Sequence, residues 1–476
     1  MQHQISNNID PNKVFLVNRS ETKGRLDPKM ALYNKRVQNS LFPMVKLKNL
    51  LLSKPQYGAN ESGLDRLNNT QPRYIRITDI DENGLISINE LGATVAKVEE
   101  KYILSNNDIL IARSGATVGK AYLHKELPYT CLYAGYLIRF LVDPSKILPG
   151  FLFSYTQLNS YKEWVSAIQR PSAQPNINAE EYQSLEIPLP DLPTQKAIVE
   201  IINQAYLEKQ LKEEEANAIL KSIDDYLLGE LGIGLPEMES QTLQNRIYIV
   251  SRSVLEDRLD PYYSQEYFRN AFEVLGLCKY PVVNLKEISK LITSGITPKS
   301  GGDAYTEDKS IGIPFVRSGN ISIDGELNYD DLLYLKPEIH ENVMNSSKLK
   351  KDDILIAIVG ATIGQVGIYL SEGEANINQA IALVRLKKGY NVQFVKELIK
   401  SSIGQLSLNR LKRPVARANI NLEEISRIKV VLPPKEKQEE IVARISQMRA
   451  RAKKLQAEGA VVLQKAKMEV ERMILG

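Results

Sequence analysis

The sequence predicts an α+β chain in which two tandem globular α/β domains are joined by two long antiparallel coiled-coil helices, the whole forming an internal pseudo-twofold repeat. Three observations predict it. Residues 170–199 align without a gap on 413–442, with thirteen of thirty positions identical. Each copy opens with short β-branched runs broken by turn residues, a pattern of strands and hairpins. Each copy closes, after a proline-rich break, with an apolar stripe at heptad spacing.

Taken in order, segment 12–20 aligns with 245–253, and Arg25-Leu-Asp-Pro28 with Arg258-Leu-Asp-Pro261, at an offset of 233. Asp108-Ile-Leu-Ile-Ala-Arg-Ser-Gly-Ala-Thr-Val-Gly119 matches Asp353-Ile-Leu-Ile-Ala-Ile-Val-Gly-Ala-Thr-Ile-Gly364 at an offset of 245. The drift places insertions between Met30 and Asp108 or their counterparts, and 303–312 reads as an inserted loop. Strands are expected at 74–77, 108–112, 315–318 and 353–357, with matched turns at Asn83-Gly84 and Asp324-Gly325. Single helices are expected over 149–166 and 391–410.

Prolines at 188–193 and 433–434 fix an extended lead-in and end the preceding strand. The helices that follow are expected over 194–231 and 435–475, roughly 55–60 Å each at about 1.5 Å per residue. In the second, Ile441, Ile445, Met448, Ala452, Leu455, Gly459, Val462 and Ala466 form the seam. In the first it runs through Ile198, Ile202, Ala205, Ala216, Ile219 and Ile223, interrupted by Lys209 and Lys212. Each helix belongs to one copy and is too long for one compact domain, so the partner expected for each seam is the other helix. An antiparallel pair would hold the two fronts apart. The expected divisions are a first domain at 1–193, its helix at 194–232, a second domain at 233–434 and its helix at 435–476.

Composition narrows the class. The chain is 43% hydrophobic and 25% charged, with a net charge of +4, which permits nucleic-acid binding only where the positive charge is locally concentrated. Segment 1–11 is polar and lacks the basic-then-apolar order of a secretory signal, and no apolar run approaches the ~18 residues a membrane helix needs. Two cysteines make no disulfide framework, and three histidines make no histidine-rich metal site. A cytoplasmic protein without structural metal is expected.

Signatures of catalysis are missing from the sequence. Gly115-Ala-Thr-Val-Gly-Lys120 imitates a phosphate loop, but only three residues separate its glycines and Ala121 stands where a hydroxyl is needed. A strand leading into a tight glycine turn explains it better. The Asn/Asp-Pro-Pro-aromatic motif with which a DNA methyltransferase grips an extruded base is absent, and the histidines are too scattered for a triad. Basic residues are more informative. Arg410, Lys412, Arg413 and Arg417 lie in a run without a negative charge. Arg413 matches Arg170, Arg76 matches Arg317, and Arg113 and Lys120 flank the first glycine turn. Such side chains suit phosphate contacts, and arginine can read guanine bidentately. Residues shared by both copies are expected to brace the fold, and sequence-reading residues to lie where the copies differ.

The paired Asp-Ile-Leu-Ile-Ala…Gly-Ala-Thr-x-Gly elements, the Asn-Ile-Asn segments (176–178, 419–421) and the proline-to-helix passages containing Gln195 and Gln438 resemble the specificity (S) subunit of type I restriction–modification systems over nearly the whole chain. The resemblance implies two target recognition domains, each reading one half of an asymmetric bipartite double-stranded DNA site. It implies helices that set the spacing and dock two methyltransferase subunits, with restriction (motor) subunits as further partners. S-adenosylmethionine, ATP and Mg would then belong to those partners, and this chain would bind no cofactor and carry no catalytic residue. Two other readings compete: a scaffold with duplicated ligand-binding heads and no DNA role, and a stand-alone DNA-modifying enzyme. A complete lack of sequence-dependent DNA binding in the assembled complex would favour the first, and activity without partners the second.

Overall fold

The computed structural model describes residues 28–38, 40–87, 90–169, 175–236, 249, 251, 260, 262–299, 303–412 and 419–476. Arg25, Arg170, Arg258, Arg413, Arg417, segment 12–20 and nearly all of 245–253 lie outside the described residues. Contacts divide the chain into two compact units, one of 1–214 with 455–476 and the other of 215–454. The division runs through each of the two long helices.

In the first unit a four-stranded antiparallel sheet runs in the order Gln56–Tyr57, Leu137–Phe140, Ile109–Ala112, Ala121–Leu123. A second sheet orders Leu64–Asp65, Ala93–Thr94, Arg73–Ile75 and Cys131–Tyr133, its last pair being parallel. Met44–Lys46 pairs separately with Glu186–Pro188. The strand Ile109–Ala112 is buried throughout because it separates two cores. Ile109 and Ile111 face a helical core, while Leu110 and Ala112 face a smaller one with Ile75 and Tyr133. The period-2 alternation of a strand therefore hides inside a continuous apolar run.

The second unit repeats this design on its own residues. Ser289–Ser294, Ile381–Leu386, Asp353–Ala357 and Val366–Tyr369 form the antiparallel sheet. Leu333–Leu335, Ile313–Val316 and Asn376–Ile377 form the smaller one, again with one parallel pair. Ile354 and Ile356 face one core, Leu355 and Ala357 the other. The expected glycine turns follow both central strands, with φ of +76° at Gly115 and +80° at Gly360. These values lie in the left-handed region that suits glycine.

Two expectations need correction. Segments 149–166 and 391–410 each form two helices rather than one: Pro149–Thr156 and Asn159–Ile168, then Val392–Lys400 and Ser402–Leu411. Leu158 and Ser401 between them are extended, with ψ of 160° and 165°. The segment Pro149–Thr156 buries six of its eight residues, so a straight continuation would carry an apolar surface out of the core. The break turns each second helix back onto it.

The long helices span Leu192–Leu231 and Lys435–Leu475. In the first unit Ile198, Ile202 and Ala205 share a core with Leu463, Ala466, Val470 and Ile474, and Glu458 pairs with Lys212 at 3.2 Å. In the second, Leu227, Leu228 and Leu231 share a core with Ile441 and Ile445. There Glu215 pairs with Arg451 and Glu230 with Lys437, each at 2.7 Å, so residue numbers rise along one helix as they fall along the other. The helices are antiparallel. Ile219, Ile223, Met448, Leu455 and Val462 are only partly buried. Beyond Gly459 burial passes from Val462 to Leu463, Val470 and Ile474, since a 3.6-residue turn drifts off a strict heptad. Lys209 and Lys212 stay near the seam by pairing with Glu213 and Glu458. Among the described residues no helix is long and apolar enough to cross a membrane.

Candidate nucleic-acid interface

The residues shared by both copies are mostly structural. Asn178 and Asn421 cap short helices and take part in reciprocal capping boxes with Glu181 and Glu424. Between the paired asparagines, Ile177 and Ile420 are fully buried, and their N–H groups donate to the carbonyls of Arg113 and Ile358. The Asn-Ile-Asn segment thus fastens the end of each central strand. Gln195 and Gln438 are equally buried. Gln195 accepts from the Leu148 N–H at 2.8 Å and donates to Pro190 O at 2.9 Å; Gln438 accepts from Asn391 N–H at 3.2 Å and donates to Pro433 O at 2.8 Å. Each glutamine locks a long helix to the start of its domain's helical layer.

The candidate DNA-contacting arginines and lysines separate by surroundings. Arg76 is clamped by Asp79 (Nη2–Oδ1 3.0 Å), which raises the arginine's pKa further, and Arg317 is held by Asp331 at 2.9 Å. Lys120 donates to Ile80 O at 2.9 Å, which ties it to its own domain. Arg410 donates to Tyr263 O at 3.0 Å and lies against the rings of Tyr263 and Phe272, a bracing position. Lys412 is half-buried, and burial lowers its pKa.

Arg113 differs. It follows the central strand of the first unit, its guanidinium lies 4.8 Å from the centre of the Tyr57 ring, and its Nε is buried without a hydrogen-bond partner among the described residues. It lines an open cleft of about 510 Å³ with Tyr57, Asn60, Ser114, Tyr136 and Asn176. Tyr136 is 65% exposed. An adjoining depression of about 670 Å³ shares Tyr57 and adds Lys46, Lys48 and Lys54, all exposed, together with the acidic Glu180. A cationic fork stacked on an aromatic ring, flanked by lysines, can hold a phosphate backbone and present donors to a base edge. At the positions of Arg113 and Ser114 the second unit has Ile358 and Val359, and Ile358 is buried.

Sequence reasoning missed Tyr57, Tyr136 and the three lysines. Their segments do not align between copies, so the repeat cannot point to them. The usable signal was that mismatch itself.

Residues 45–221 and 279–459 match the family model described as type I restriction modification DNA specificity domain. The chain is 27% identical over 309 residues to the type I restriction enzyme EcoBI specificity subunit of Escherichia coli, covering 63% of this chain and 59% of that one. It is 23% identical over 407 residues to the EcoKI specificity subunit of Escherichia coli strain K12, covering 82% of this chain and 78% of that one. It is also similar in fold to a chain from the structure titled "Structural basis underlying complex assembly and conformational transition of the type I R-M system", with a TM-score of 0.50, 14% identity, and coverage of 91% of this chain and 95% of that chain. With two copies of the specificity domain spanning more than half of its length, the chain belongs to the type I restriction–modification DNA specificity family.

Proposed function

We propose that this chain selects a two-part DNA target, one part through each unit, and performs no chemistry itself. The observation that carries the reading is the Arg113–Tyr57–Tyr136 cleft, present in the first unit and replaced by Ile358 and Val359 on the matching strand of the second. Unlike contact surfaces on like scaffolds suit unlike half-sites. Lys46, Lys48 and Lys54 would hold phosphates, while Arg113 would read a base edge in the first half-site. The long helices would set the gap between half-sites and dock two methyltransferase subunits. Adenine methylation with S-adenosylmethionine, and ATP- and Mg-dependent cleavage by restriction subunits, would be supplied by those partners.

The test uses the full chain assembled with its methyltransferase partners and maps every methylated site. Arg113→Ala is expected to relax one base position in one half-site and leave the other half unchanged. It should weaken binding by about 1–3 kcal/mol. Relaxation in both halves, or unchanged selectivity with only uniform loss, would refute the assignment.

A further inference from the structure

We propose that the second unit binds a divalent transition-metal ion, of the zinc class, through His340, Glu341 and Glu374. His340 is only 1% exposed, in the short helix Pro337–Glu341. Its Nδ1 lies 2.5 Å from Asn376 Oδ1. The orientation of that amide is set by its other end, because Asn376 Nδ2 lies 2.9 Å from Met344 O, a group that can only accept. Oδ1 is therefore the acceptor, Nδ1 carries the proton, and the second ring nitrogen of a neutral imidazole keeps its lone pair.

That second nitrogen, Nε2, is buried and makes no hydrogen bond among the described residues. Yet Glu374 Oε2 lies 3.2 Å from it and Glu341 Oε1 lies 3.7 Å away. The carboxylates are near enough for contact but lie outside hydrogen-bond geometry. Bonds of roughly 2.0–2.1 Å to a tetrahedral ion separate its ligands by roughly 3.3–3.4 Å, close to these spacings. A neutral imidazole with two carboxylates is a zinc-type donor set, and the Asn376 acceptor behind Nδ1 is the kind of outer partner that fixes a ligating ring. Lys348 engages Glu341 through Oε2, leaving Oε1 facing the histidine. Among the described residues this is the one cluster of its kind.

The cluster is particular to the second unit. In the smaller sheet Phe315 lies opposite Asn376, and in the first unit the matching Tyr74 lies opposite Leu132. Leu132 thus takes the place of Asn376, and Thr130 that of Glu374. Glu374 and its neighbour Asn376 are therefore not part of the shared scaffold. Three histidines in the chain argue against a histidine-rich centre, but one is enough when two carboxylates complete the set. A bound ion would pin the helix Pro337–Glu341 to the segment leading into the strand Asn376–Ile377.

The full chain, stripped with chelator, would be titrated with zinc chloride by calorimetry and melted with and without zinc, with magnesium as the control. One saturable zinc site per chain is expected, with a rise in Tm that magnesium does not produce. Glu374→Gln and Glu341→Gln alter exposed side chains, and each should weaken zinc binding roughly tenfold or more while leaving the metal-free Tm unchanged. If zinc binds the wild type no more tightly than the Glu341→Gln/Glu374→Gln double variant, the proposal falls. It falls equally if Glu374→Gln lowers the metal-free Tm and zinc has no effect, for then His340 is the cation of an ordinary ion pair.

Discussion

Asp353 is wholly enclosed, and Arg385 grips its carboxylate through Nε–Oδ1 at 2.7 Å and Nη2–Oδ2 at 2.6 Å. Asp108, at the same place in the first unit, has a single 3.4 Å contact with Arg139. Burial is the largest influence on Asp108 and raises its pKa in spite of that arginine. Strand register explains the contrast. Arg139 lies opposite Leu110, two residues past the aspartate, whereas Arg385 follows Val384, the residue opposite Ile354, and so stands beside Asp353. Removing one partner of a tight buried pair leaves a charge uncompensated at a cost of about 3 kcal/mol, while loss of the looser contact costs about 1 kcal/mol. Asp353→Asn is thus expected to destabilise its unit more than Asp108→Asn does, read as hydrogen-exchange protection of each unit in dilute urea. Equal losses would contradict the register argument.

Among the elements, the broken helices of the two units share a device in which a long helix supplies the cap. Glu471 accepts from the Ser160 N–H at 2.6 Å, and Asp224 from the Ser402 N–H at 2.8 Å. The first long helix therefore caps a helix of the second unit, and the second long helix caps one of the first. Glu471→Gln and Asp224→Asn are each expected to cost about 1 kcal/mol in the unit they cap, with no effect on the other. Thermal melts resolved by unit would check this, and a loss confined to the opposite unit would exclude it. These elements also show what sequence could convey. The central strands were legible because a buried five-residue run recurs with the same glycine turn, and the long helices because their seam repeats over many turns. The breaks at Leu158 and Ser401 were not, since a helix buried on nearly every side has no polar face to mark its end. The cleft around Arg113 was legible only in part: the arginine lies in a recognisable motif, but its companions Tyr57 and Tyr136 come from segments the repeat leaves unmatched. A metal cluster built from residues apart in sequence, such as His340 and Glu374, has no spacing signature at all.

For the whole molecule, the first unit is assembled from both ends of the described chain. Leu463, Ala466, Val470 and Ile474 belong to its core, and the N–H of Leu41 donates to Ile474 O at 3.1 Å. The second unit draws only on residues 215–454. Ending the chain at Lys454 would remove those four apolar side chains, of which Leu463, Val470 and Ile474 each contribute about 1.5–3 kcal/mol by burial. Limited proteolysis of the shortened chain is expected to degrade 28–214 rapidly while 262–454 persists; equal resistance of both segments would overturn this division. The same arrangement imposes an order on biosynthesis. Domains ordinarily fold in the order in which they emerge from the ribosome. Here the portion translated first lacks part of its core until residues 455–476 have left the exit tunnel, so the later-made unit can mature while the earlier one waits.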